Sequence, residues 1–337
     1  MVPPMNNVRR KIVRGLLVGT VTVLSVGGLS ACSGQTVAEV PQVKETPYPA
    51  LNSAQVDQVL TEVAQTLANA DKSRKADALK TRVSGAALAM RTGEYTQAAK
   101  DSGFKLTTFP QEMQSVTVTS SLDWPRAIVA FTKTEGNQVP YLLVVRQSEA
   151  AAPYRLDSWA GVFPGANVPA TAVVEKGSPI VDVTRVGSRI LAPKDAVVSW
   201  GGVVMDSKHA DAAKFTEDEL MKQIRDELSK LRTDIGDNGE VSAELKPLDD
   251  TIAIELVKGS VLAIGSFNYT VTVKAASTTR PITLAQLAPL LGDGGKFSGS
   301  ATWKSTVTVA IVIPEAGGDS KAQAVAGERI ITSASKS

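Results

Sequence analysis

One cysteine and one histidine occur in 337 residues, and aromatic side chains make up only 5% of them. A chain with a single thiol forms no internal disulfide, no cysteine-based zinc site and no Cys-His catalytic pair. The lone histidine, His209, would have to serve any Ser-His-Asp arrangement. It lies in the polar stretch "MDSKHADAAKF", which reads as a solvated loop or helix end. Charge of one sign is also scarce. The formal net charge is +2, and the excess sits in Arg9, Arg10, Lys11 and Arg14. Without those four, 32 basic residues face 34 acidic ones, leaving about −2 and no basic footprint for nucleic acid.

What is present begins at the amino end. The basic cluster is followed by an uncharged run from Gly15 to Leu29. That length suits the core of an export signal and falls short of the roughly 20 residues a spanning helix needs. The run closes on Leu29-Ser30-Ala31-Cys32. It resembles the lipobox of bacterial lipoproteins, with a branched apolar residue, two small residues and an obligatory thiol. The resemblance implies cleavage between Ala31 and Cys32, diacylglycerol on the Cys32 sulfur, and residence at the outer face of the cytoplasmic membrane. Two or three acyl chains anchor stably where one would not. "RRKIV" partly resembles a twin-arginine export signal but lacks its flanking residues, so the general secretory route is preferred and both stay open.

The pattern then divides the chain into a signal peptide (1–31), a proline-bearing tether (32–51), an α+β domain (52–175), a linker (176–192) and a second α+β domain (193–337). Val56, Val59, Leu60, Val63 and Leu67 recur at helical spacing behind a cap at Asn52 or Ser53. A second helical stretch is expected over 72–90, bent near Gly85, and a short third over 95–100. Alternating strands follow at 115–121, 127–133, 140–147 and 154–161. In the second half, Gly201-Gly202 signals a hairpin, whereas Pro193 with Val197, Trp200 and Val204 signals a helix; the helix is preferred. Thr216 and Glu219 form an expected capping box with Phe215 and Leu220 as staple, and Leu220, Ile224, Leu228 and Leu231 make one apolar stripe ending at Gly236. Strands at 241–247, 251–257, 261–275, 301–314 and 324–334 are interrupted by a short helix over 283–291. Each half therefore reads as helices followed by an antiparallel meander, an order that suggests a tandem of similar domains and is similar to nuclear-transport-factor-2-like and cystatin-like folds.

The stretches "PYLLVVRQ", "APYRLDSWAGVFPGANVP", "FTEDELMKQI", "VTVAIVIPEAGG" and "AVAGERIITSAS" resemble uncharacterised two-domain lipoproteins of actinobacteria, whose C-terminal half is a domain of unknown function. These are fold-like phrases and carry no activity across.

Candidate chemistry is thin. Ser102-Gly103-Phe104-Lys105 and Ser333 with Lys336 match Ser-x-x-Lys but lack the companion motifs of penicillin-binding enzymes. Asp234, Asn238 and Gly239 approach a calcium loop, yet its third position is Gly236 and its twelfth is Leu245. Asp249, Asp250 and Glu255 offer carboxylates for acid-base work, against a simpler role as turn formers. Gly292 to Gly295 lacks the Lys-Ser/Thr of a phosphate loop. Trp124, Trp159, Trp200 and Trp303 fill cores or line a platform for a glycan or acyl chain. No metal or cofactor motif stands out. The sequence points first to a non-enzymatic binding or assembly role in the cell envelope, toward a protein, wall or lipid partner. A lipid or glycan carrier with an apolar pocket is the second reading, and a carboxylate-based hydrolase the third.

Overall fold

A computed structural model describes residues 47–136, 139–317 and 320–337. The signal segment, the Ala31–Cys32 junction and the tether as far as Thr46 lie outside the described residues. Residues 46–337 form one compact unit.

The first half opens with α1 (Ser53–Ser73), whose start is fixed by a reciprocal box: Asn52 accepts from the Gln55 amide at 2.9 Å, and Gln55 accepts from the Asn52 amide at 3.0 Å. It ends at Arg74 in the left-handed region. A 3-10 turn at Ala76–Leu79 leads to α2 (Gly85–Lys100). The helix expected over 72–90 and the short one over 95–100 are thus replaced by a break at 74–84 and one continuous helix. Gly85 is its first residue, at φ +53°, and not a bend. Four strands follow: β1 (Met113–Ser120), β2 (Arg126–Thr132), β3 (Tyr141–Gln147) and β4 (Arg155–Val162), paired antiparallel in sequence order.

The stretch expected as a linker is structured in part. β5 (Ser178–Pro179) runs parallel to β1, and Ile180 bridges Ile254. Then comes α3 (Pro193–Met205). Its two central glycines belong to the helix because neighbours crowd them: a Cβ on Gly201 would lie 2.6 Å from the Phe267 ring, and one on Gly202 would lie 2.6 Å from His209 Nε2. A short strand, β6 (Phe215–Thr216), pairs with β13 (Ala322–Lys336). Thr216 is consequently extended, and the cap of α4 (Glu219–Ile235) is Asp218, which corrects the expected box. One Asp218 oxygen accepts from the Met221 amide at 2.9 Å and the other from the Trp200 indole at 2.7 Å. Gly236 ends α4 as expected, at φ +48°.

The remaining strands are β7 (Gly239–Pro247), β8 (Ile252–Glu255), β9 (Val261–Ala275), β10 (Ile282–Thr283), β11 (Lys296–Phe297) and β12 (Ser300–Ile313). The expected helix over 283–291 shrinks to a 3-10 turn and α5 (Ala288–Leu291). β13 pairs with β12 along its length and with β4 at Ala326–Val162 and Gly327–Gly161. The main sheet reads β5-β1-β2-β3-β4-β13-β12-β9-β7, with β6 and β8 beside it. Each half therefore contributes two long helices and a four-strand meander, and the meanders join last strand to last strand.

Strand alternation sorts the core into three layers. Ile128, Ala130, Leu143, Val145 and Trp159 face α1 and α2. Phe267, Tyr269, Val271, Val273, Val307, Val309 and Ile311 face α3 and α4. The alternate residues Val129, Leu142, Val144, Ile252, Ile254, Leu262 and Ile264 form a third cluster between the two halves of the main sheet. The helix-free faces pack on each other, and helices cover the outside. Helix α2 also crosses β13 closely at Gly93, where a Cβ would stand 2.7 Å from the Ile331 carbonyl and 2.8 Å from Thr332 Cα.

Gly93→Ala tests that crossing. Alanine is worth roughly 1 kcal/mol over glycine in a free helix, but here the clash is with backbone. A net loss of about 1–3 kcal/mol is expected in urea unfolding; a stabilised variant would show that α2 and β13 are not in contact.

Candidate functional site

The described chain enters the fold along one edge. Pro49 bridges Ser120, and the Ala50 amide donates to the Thr119 carbonyl at 3.0 Å. The end of the expected tether is thus laid against β1. Beyond β1 the chain turns at Ser121, whose hydroxyl accepts from the Asp123 amide at 3.0 Å. Trp124 follows, held on two sides. Its indole N–H donates to Gln147 Oε1 at 3.0 Å, and the Arg126 guanidinium lies 4.3 Å from its ring centre. The ring remains 39% exposed. Next to it, Pro47, Leu122, Asp123, Pro179 and Ile180 border an open cleft of about 470 Å³.

A second concentration of polar groups lies inside, between α2 and the sheet. Arg91 and Glu94, one helical turn apart, are each 1% exposed. Arg91 Nη1 donates to Glu94 at 2.7 Å and to the Thr107 carbonyl at 2.8 Å, and its Nε is 3.5 Å from Asp71. The guanidinium carbon lies 5.5 Å from the Trp159 ring centre and 5.6 Å from that of Phe109. The other Glu94 oxygen accepts from the Thr107 amide at 2.9 Å and hydroxyl at 2.5 Å. Tyr95 donates to Asp71 at 2.6 Å; burial and this carboxylate acceptor push the phenol far above its ordinary value. Glu328, half-buried on β13, pairs with no cation among the described residues. Burial pushes its carboxyl up to about 7, an added push comes from the Glu94 charge, and the Arg329 amide works the other way. Tyr141 is raised as well, by burial first and then by Glu328 and Glu94.

The residues singled out from the sequence lie apart. Asp249 reaches Lys194 at 2.7 Å, Asp250 accepts from the Ser266 amide at 3.0 Å, and Glu255 is exposed at the end of β8. They do not converge. The Asp250 carbonyl instead accepts from Arg146, which lies 3.7 Å from Asp157, and burial raises that carboxyl. His209 Nδ1 accepts from the Asp211 amide at 3.2 Å, while the Ser199 hydroxyl donates to Asp211 at 2.7 Å; serine and histidine are not paired. Ser102 is exposed in the turn after α2, and Ser333 lies on β13 with Lys336 bonded to Asp293 at 2.7 Å. Asp234 is bound by Lys230 at 2.9 Å, Asn238 donates to the Ile235 carbonyl, Gly239 opens β7, and Leu245 is buried in the core. Among the described residues no group of three or more His, Cys, Asp or Glu is placed to hold a metal ion. Gly292 to Gly295 form a 3-10 turn before β11. Trp159 and Trp200 are fully buried and Trp303 is half-buried, which leaves Trp124 as the exposed member.

The reading of the sequence passed over Arg91, Glu94 and Glu328. A signal was there: a charged pair at i, i+3 on the same face as the apolar Ala87 and Met90, and an acid inside "AVAGERII". No protein-family model, curated protein or solved structure matches the chain.

Two measurements check the network. Arg91→Met strands the Glu94 charge and should cost about 3–5 kcal/mol in urea unfolding, with much of it restored by adding Glu94→Leu. Glu328 has a folded value near 7 against an ordinary 4.5. The folded state therefore holds more protons between those values, and stability falls as pH rises through that window. Glu328→Gln should flatten this part of the stability-pH curve; an unchanged slope would assign it to another group.

Proposed function

We propose that the chain is an exported lipoprotein, anchored at the outer face of the cytoplasmic membrane by acyl chains on Cys32, and that its folded unit acts by contact and assembly in the envelope. The observation that carries the second half is where its polar chemistry sits. The densest charge network is wrapped around Arg91, buried and bonded to itself. The cleft at the β1 edge is walled by Pro47, Leu122, Pro179 and Ile180, with Ser120, Ser121 and Asp123 as its polar groups; the Ser121 hydroxyl is engaged by the Asp123 backbone, and no base among the described residues is paired with it. Beside it stands an indole fixed in place before any partner arrives, the kind of anchor that dominates binding surfaces. The anchor rests on the lipobox residues and their basic, uncharged-run context. No described helix is long and apolar enough to cross a membrane. The repeated order of two helices and a meander supports the reading of two similar α+β domains in tandem, with the topology of nuclear-transport-factor-2-like folds.

Cys32→Ser should abolish incorporation of a palmitate analogue and leave the full-length precursor uncleaved, read by mass spectrometry of the protein from cells. Label retained by the serine variant would overturn the anchor. For the contact surface, a photo-crosslinker at Leu122 in cells should give adducts that one at exposed Val198, on the outer face of α3, does not. Equal yields at both positions would remove the cleft from consideration.

A further inference from the structure

The edge at which the chain enters the fold has a composition that identifies its occupant. Tyr48 is 59% exposed, Trp124 39% and Val173 56%, three of the seven large apolar side chains that stand out on the described surface. They come from three separate segments brought to one place. Tyr48 lies between Pro47, which borders the cleft, and Pro49, which bridges Ser120. Trp124 follows Asp123 on the cleft wall. Val173 begins a turn whose Gly177 is packed against Pro49 and Ser120, so close that an added Cβ would be 3.3 Å and 3.1 Å from them. Its carbonyl accepts from the Lys176 and Gly177 amides. Charge at this edge is of both signs, Asp123 and Glu175 against Arg126 and Lys176.

Exposed tyrosine and tryptophan among aliphatic groups, with mixed charge, are the side chains that settle at the boundary between lipid headgroups and acyl chains. Position supplies the second argument. Only 14 residues separate Cys32 from Pro47, a span of at most about 50 Å even when fully drawn out. Every other surface of the unit is connected to the anchor through this edge.

We propose that the Tyr48–Trp124–Val173 edge rests on the bilayer, as a second contact beside the acyl chains, and so fixes which way the folded unit points. The proposal rests on the anchored-lipoprotein reading. The two contacts reinforce each other: once the anchor is inserted, the edge is held at high effective concentration next to the lipid, and weak interfacial affinity suffices. The Arg126–Trp124–Gln147 arrangement keeps the indole in one orientation, so little is lost in ordering it on contact.

The test uses the lipidated chain purified from cells and reconstituted into vesicles of phosphatidylcholine and phosphatidylglycerol, with and without brominated acyl chains. Vesicle flotation reports the anchor by itself. Tryptophan emission reports the edge through the difference between the unmodified chain and Trp124→Phe, because Trp159 and Trp200 are buried and half-buried Trp303 is common to both. Bromine-dependent quenching is expected in the unmodified chain and lost in Trp124→Phe, while both float with the vesicles. Val173→Asp keeps the indole but puts a carboxylate into the edge; it should lose most of the quenching with an unchanged melting temperature. Flotation without quenching overturns this inference and leaves the anchor standing. Failure to float overturns the anchor itself. A shift of Trp124 emission produced by soluble cell-wall glycan fragments, with no response to brominated lipid, would assign the edge to carbohydrate and overturn the inference as well.

Discussion

The folded unit depends on two residue pairs, Ala326 with Val162 and Gly327 with Gly161, at which β4 meets β13. There the meander of the first half meets that of the second. Take the pairing away and each meander ends in an open edge of unpaired amides and carbonyls. The apolar cluster between the two halves of the sheet, which draws Leu142 and Val144 from one half and Ile254, Leu262 and Val325 from the other, also loses its frame. Glycine at 327 is what lets the join form. A Cβ there would stand 2.7 Å from both Leu220 on α4 and Phe163 after β4, so the seam, the helix and the departing chain all use the space a side chain would fill.

The same seam explains the charges beneath α2. β13 is long enough to join both meanders, and in passing under α2 at Gly93 it carries Glu328 toward a helix that already bears Glu94. Arg91 answers Glu94 at 2.7 Å and is shared with Asp71 at 3.5 Å. No second cation is supplied for Glu328, and a carboxyl removed from water without one relieves the cost by keeping its proton. The network is thus the electrostatic consequence of where a strand had to run.

How much of this was legible depends on the range of the interaction concerned. Helix α1, the apolar stripe of α4 and the alternating faces of β9 and β12 are local patterns of period 3.6 or 2, and they stand where those patterns placed them. Errors arose where distant contacts overrode local preference. Thr216 resembles a helix cap until Phe215 and Thr216 are claimed by Ala322 and Gln323; the cap then passes to Asp218, which also holds Trp200. The gap left between the helices expected over 72–90 and 95–100 contains Gly93, the point at which one continuous helix touches the sheet, with Gln97 donating to the carbonyl of Ile331, 234 residues away. The buried charges were hidden for the same reason. Nothing near Arg91 or Glu94 in the sequence announces β13. The four tryptophans could not be ranked either, since the exposure of Trp124 follows from a turn and an arginine behind the ring, not from its neighbours' hydropathy. The proposed lipobox, by contrast, is a pattern of consecutive residues and needs no fold to be read.

The position of β13 also governs when the unit can fold. Its residues are made some 160 positions after those of β4 and more than 220 after those of α2, and contacts of such separation form late. A chain threaded amino end first through an export channel delivers α2 and the first meander to the far side while the strand that both require is still behind. Until it emerges, the edge of β4 is unpaired and α2 lacks its crossing at Gly93, although the cluster of Val56, Leu79, Met90, Ile128 and Trp159 lies wholly within the leading half. The seam between the halves closes only when the last strand arrives.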